Sequence, residues 1–175
     1  MDPVPVNQPF QVDLQVAAGD DELPGGAEWS RWAGAALDLA GAVDPAAARM
    51  TVRIVGRDES RQLNKSYRHT DAATNVLAFQ GIDKNEFLVE EERELGDLVI
   101  CLPIVYQEAQ QQGEPPLAHL AHLVVHGTLH LIGFDHQDDV NAERMERLET
   151  QVMRRLGFSD PYSGHQASCT AAENG

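Results

Sequence analysis

Cysteine is scarce in this chain: Cys101 and Cys169 are the only two among 175 residues. Two thiols cannot build a disulfide framework, which points to a reducing compartment, the cytoplasm being the simplest. Long apolar runs are missing as well. No stretch approaches the ~20 residues needed to span a bilayer, and the first residues lack a basic region followed by an apolar segment. Neither a membrane anchor nor a secretory leader is expected. Basic residues are few, 13 Lys and Arg against 28 Asp and Glu, for a net charge of -15. A mostly acidic surface repels phosphate and excludes indiscriminate binding to nucleic acid.

The basic charge that is present sits together. Arg49, Arg53, Arg57, Arg61, Lys65 and Arg68 fall within twenty positions that hold only two acids, Asp58 and Glu59. That segment carries +4 on a body that otherwise carries -19. One positive stripe is the expectation. Arg61, Lys65 and Arg68, spaced by four and three, share one face of a short helix. The Arg68 guanidinium is suited to hold a phosphate through two parallel hydrogen bonds.

The patterning predicts the order β-α-β-α-β-β-α-α-α. Phe10, Val12, Leu14 and Val16 alternate as a half-buried strand, and a helix follows from about Glu28 to Ala42. Met50, Val52 and Ile54 mark a second strand; Asp58 is expected to cap a short helix running to about Tyr67. Asn75–Phe79 and Leu98–Leu102 have strand length, and the seven acids of residues 83–97 between them suggest a solvated loop. Pro103 opens a helix ending near Gly113, Pro115 and Pro116 open the next, and Asp138 or Asp139 caps the last. Strands early and helices late indicate an α+β domain. It would be a small mixed four-stranded sheet packed against about five helices, one of them a central helix that bears a metal. The length suits one domain over residues 1–158, with a loosely ordered tail over 159–175.

The metal is suggested by His126, His130 and His136, separated by three and then five residues. His126 and His130 stack on one helix face. Gly133 can then end the helix in a left-handed conformation and turn the chain toward His136. Three neutral imidazoles with one open position form the first shell of a hydrolytic zinc centre, one per chain, although nickel and copper also accept imidazole. The spacing matches the metzincin peptidase pattern H-E-x-x-H-x-x-G-x-x-H, except that Gly127 stands where those enzymes carry their glutamate base. Glycine takes no proton from water, so the peptidase mechanism lacks its base.

The histidine run, together with Leu63-Asn64-Lys65-Ser66-Tyr67-Arg68, Thr74-Asn75-Val76-Leu77-Ala78-Phe79 and Gly96-Asp97-Leu98-Val99-Ile100, resembles the YbeY family from about Phe10 to Tyr162. These are bacterial rRNA maturation factors described as single-strand-specific, metal-dependent endoribonucleases. The resemblance implies zinc on His126, His130 and His136, a functional arginine at Arg68, and single-stranded rRNA as substrate. It also implies a role in 16S rRNA maturation and ribosome quality control, with contact to the small ribosomal subunit and its proteins. Ala78 and Ala73 depart from the serine and proline usual in the family, away from any ligand position. Two other functions compete: a ribosome-assembly binding factor whose metal is structural, which three ligands without a fourth disfavour, and a peptidase lacking its base.

The remaining site candidates have plainer expectations. His69 is read as an exposed loop histidine, and His119 and His122 as packing or hydrogen-bonding along their helix. Asp135 and Asp138 have two roles open to them, orienting a liganding imidazole or capping and turning the chain.

The metal assignment has a direct test. Purified protein is expected to hold one divalent ion, and His130→Ala to lose most of it, because two imidazoles make a poor site. Full occupancy in that variant, by elemental analysis, would refute the assignment.

Overall fold

A computed structural model describes residues 10–18, 23–41, 43–81, 93–135 and 137–162. Its elements are β1 (Val12–Val16), α1 (Gly26–Ala40), a short 3-10 turn (Pro45–Ala47), β2 (Ala48–Val55), α2 (Arg57–Arg68), β3 (Val76–Gln80), β4 (Arg93–Cys101), α3 (Leu102–Gln112), α4 (Pro116–Leu131) and α5 (Asp139–Arg155). The strands form one sheet in the order β1-β2-β4-β3. β1, β2 and β4 run parallel, and β3 lies antiparallel against β4 at one edge. This is the α+β architecture expected, with five α-helices and a mixed four-stranded sheet. No helix among the described residues is long and apolar enough to cross a membrane.

Both faces of the sheet are covered, which is what the β-strand period of two requires when alternate positions are all apolar. Met50, Val52, Ile54, Leu98 and Ile100 point into the main core with Trp29, Trp32 and Leu37 of α1 and with helices α4 and α5. Val55, Leu77, Val99 and Cys101 face the other way and pack with Leu63 of α2 and Ile104 of α3. Helix α4 is central in this arrangement. Ten of its sixteen residues are buried, including Leu120, Leu123, Val124, Leu129 and Leu131.

Three local expectations are corrected. Residues 93–97 belong to β4, not to a solvated loop; residues 82–92 of that segment lie outside the described residues. β4 is an inner strand: Arg93, Glu94, Gly96 and Asp97 pair with β2, Gly96 and Asp97 also pair with β3, and Leu95 is 2% exposed. Asp58 is not the cap of α2; that position is Gly56, and Asp58 sits in the first turn, where its charge still favours the helix N-terminus. Leu102 begins α3 rather than ending β4. Elsewhere the punctuation holds. Gly113 closes α3 in a left-handed conformation, and Asp138 caps α5 by accepting from Asn141 N at 2.8 Å.

The pairing around β4 depends on one glycine. The register shifts between Arg49 and Met50 of β2, so that Leu95 becomes the extra residue of a bulge and Gly96 takes φ +128°. A Cβ on Gly96 would lie 2.0 Å from Phe79 O. Gly96→Ala is therefore expected to destabilise the fold by at least about 2 kcal/mol, from backbone strain and from separating β3 from β4. Urea unfolding with an unchanged midpoint would contradict this.

Candidate metal centre and cleft

A cleft of about 860 Å³ opens between α2, β3 and α4, lined among others by Tyr67, Arg68, Phe79, His126, His130 and Phe134. Two sequence candidates far apart in the chain meet here. The last turn of α2 delivers Arg68, and the buried α4 presents His126 and His130 at its accessible end.

The two imidazoles are fixed by what their inner nitrogens touch. His130 Nδ1 lies 2.9 Å from Phe134 O. A carbonyl only accepts, so Nδ1 carries the proton and donates. Phe134 is in place because α4 ends in a Schellman turn: Phe134 N donates to Leu129 O at 3.0 Å, and Gly133 N to His130 O at 3.1 Å with Gly133 at φ +105°. Gly133 thus ends the helix as its position implied, and also returns the carbonyl that orients His130. His126 Nδ1 donates to Glu149 Oε1. With both Nδ1 atoms protonated, the Nε2 atoms carry lone pairs, and these face each other at 3.0 Å. Lone pairs so close repel unless a cation lies between them. The separation is near the roughly 3.3 Å between two nitrogens of a tetrahedral zinc site with bonds of about 2.0–2.1 Å. The donor pair fits a divalent ion. His136 lies outside the described residues.

Glu149 was not singled out by the sequence. It sits on α5, is fully buried, and is reached by His122 Nε2 at 3.3 Å, by His126 Nδ1 and by the Tyr162 hydroxyl. Burial alone drives its pKa up, but the hydrogen bonds from His122 and His126 outweigh that and lower it to about 2. The same burial, with Glu149 alongside, pushes the Tyr162 phenol up. This is a carboxylate behind a histidine, the arrangement that fixes the tautomer of a metal-binding imidazole. The signal was available: Glu149 falls on the seam of α5 otherwise made of Met145, Val152, Met153 and Leu156.

The remaining candidates have other positions. Asp138 is exposed and occupied with Asn141 as the α5 cap, so it does not orient an imidazole; Asp135 lines the cleft. His119 Nε2 pairs with Glu108 of α3 at 3.0 Å, and Glu108 also accepts from Asn75 Nδ2 at 3.0 Å, tying α3, α4 and the start of β3 together. His122 stands edge-on to Tyr162. His69 is exposed and ends α2 at φ 60°.

The positive stripe is not one surface. Arg53 pairs with Glu59 at 2.7 and 2.9 Å, Arg61 with Asp71 at 2.6 and 3.0 Å, and Arg57 bonds Gln107 at 2.9 Å. Arg68 differs. One Nη2 hydrogen goes to Ala78 O at 2.8 Å, and the guanidinium stands 6.0 Å from the Phe79 ring centroid, at the edge of the cleft.

Gly127, at the place of the peptidase glutamate, is a packing position. A Cβ there would lie 2.7 Å from Cδ2 of Leu98, which is fully buried. α4 meets β4 at a distance that leaves no room for a glutamate stem.

A sequence model described as Endoribonuclease YbeY matches residues 18–157. The chain belongs to the YbeY family. An Endoribonuclease YbeY of Cellvibrio japonicus is 44% identical over 153 residues, covering 87% of this chain and 83% of that one. The solution structure of a Thermotoga maritima protein shares the fold, with a TM-score of 0.52 at 22% identity over 86% of this chain and 97% of its own. The motifs that suggested YbeY, residues 63–68, 74–79, 96–100 and 126–136, all lie within the matched region.

Glu149 is open to a specific test. Glu149→Gln is expected to weaken metal binding by about 10- to 100-fold, since the amide no longer holds His126 as a carboxylate does. Competition against a chromophoric chelator measures it, with Asp138→Asn as the control that keeps wild-type affinity. Equal affinity in a folded Glu149→Gln protein would leave Glu149 a purely structural residue.

Proposed function

We propose that this chain is a zinc-dependent, single-strand-specific endoribonuclease that acts on rRNA in 16S maturation and ribosome quality control. Its metal ligands are His126, His130 and His136, and its catalytic arginine is Arg68. Family membership supports the endoribonuclease activity. The observation that supports His126, His130 and Arg68 is the cleft, lined both by the facing imidazoles of α4 and by Arg68, while His136 rests on the histidine spacing and the family resemblance.

Zinc, when bound, supplies Lewis acidity toward a phosphoryl oxygen. The chain does the rest. Glu149 and Phe134 O hold the two imidazoles in the tautomer that leaves Nε2 available. Arg68 has five N–H donors, of which Ala78 O takes one among the described residues, so a planar fork remains for a phosphate. The contacts to Ala78 O and the Phe79 ring fix where that fork points, which limits the reorganisation needed as charge builds on the phosphate. The excess of acids elsewhere turns RNA away and suits a body that docks on basic proteins of the small ribosomal subunit in the cytoplasm.

Arg68→Ala is expected to lower single-turnover cleavage of a single-stranded RNA by about 10²- to 10³-fold, with metal content and melting temperature unchanged. Arg68→Lys recovers only part, since lysine keeps the charge and loses the fork. Near-normal cleavage by a folded, metal-loaded Arg68→Ala protein would remove Arg68 from the mechanism.

A further inference from the structure

Five large apolar side chains are exposed among the described residues: Val16, Tyr67, Tyr106, Leu117 and Val140. Only Tyr67 borders the cleft, and it is 64% exposed. Its ring is nevertheless held in place, standing against Phe79 at 5.2 Å between centroids with the planes at 71°. Its hydroxyl makes no hydrogen bond among the described residues, so the ring contact is what positions it. Phe79 also lies under the Arg68 guanidinium, so one buried-side ring sets a flat aromatic and a phosphate-binding fork side by side on the last turn of α2.

We propose that Tyr67 is a stacking platform for a nucleobase of the RNA strand whose phosphate Arg68 holds, and that it contributes to the preference for single strands. This rests on the reading of the cleft as an RNA site. The occupant follows from the pairing of chemistries. A fork that suits a phosphate next to an exposed π-face matches one nucleotide of a single strand, whose base has a free face, whereas a base within a duplex is already stacked on both sides. A Tyr67 that served only to join α2 to β3 would gain by burying its ring, and it does not.

The test uses the metal-loaded full chain cleaving a labelled single-stranded RNA. Two unlabelled competitors are compared: a short oligoadenylate and an abasic oligomer with the same number of phosphates. Wild-type protein is expected to favour the oligoadenylate by about 5- to 150-fold, the range of one base–aromatic stack. Tyr67→Leu keeps an apolar contact with Phe79 but no flat face; it should lose most of that preference while competition by the abasic oligomer stays as in wild type. Tyr67→Trp should retain the preference. A Tyr67→Leu protein with the wild-type preference would overturn the stacking role, as would equal losses toward both competitors. Wild-type protein that cleaves no RNA would instead bring down the endoribonuclease reading and this inference with it.

Discussion

Helix α4 must be buried on most sides and still hold two imidazoles at an open cleft, and much of the structure answers that demand. A helix this apolar is stable only when sheet and neighbouring helices cover it. The contact with β4 is close because Gly127 has no side chain to keep Leu98 away. The end of α4 stays at the cleft because its Schellman turn satisfies terminal carbonyls locally, with one further donor from β3, Gln80 Nε2 to His130 O at 3.1 Å. The residue that removes a peptidase's base is thus the residue that lets the helix sit where it does.

That placement explains how a buried carboxylate is tolerated. Glu149 would be costly in the core if left without donors, and its net cost depends on the histidines and the tyrosine around it. It occupies the facing helix at the level where α4 turns a histidine inward. The polar cluster therefore spans the α4–α5 interface and reaches the cleft through one imidazole. Removing Glu149 would leave donors unmatched within the interface as well as alter the cleft, so stability and site geometry are linked there.

Much of this could be read from the chain before any coordinates. The order of elements, the mixed sheet and the central helix follow from apolar periodicity and from punctuation by Pro, Gly and Asp. The placing of His126 and His130 is local, a matter of helical spacing and of Gly133. What could not be read was what the chain brings together from a distance. Arg57 and Arg61 read as open charge in the chain because Gln107 and Asp71 lie fifty and ten residues away. Arg93–Asp97 reads as a loop because acidic composition says nothing about pairing with strands distant in sequence. Glu149 is visible in the chain only as an anomaly, a lone carboxylate on an apolar helix seam, because its partners His122, His126 and Tyr162 are set by tertiary packing. The meeting of Arg68 with the histidines depends on β3 lying at the sheet edge, next to α4, and no local pattern encodes that.

Tyr162 adds a temporal side to this geometry. A chain is made from its first residue onward, and folding follows as segments emerge. Histidines, glutamate and arginine are all synthesised before the phenol that donates to Glu149. A shortened product ending with α5 would contain every strand and helix named above yet leave one oxygen of a buried carboxylate with a single long contact from His122. Synthesis as far as Tyr162 is in this sense inspected by the core, and the last donor to arrive is the one that closes the polar cluster behind the cleft.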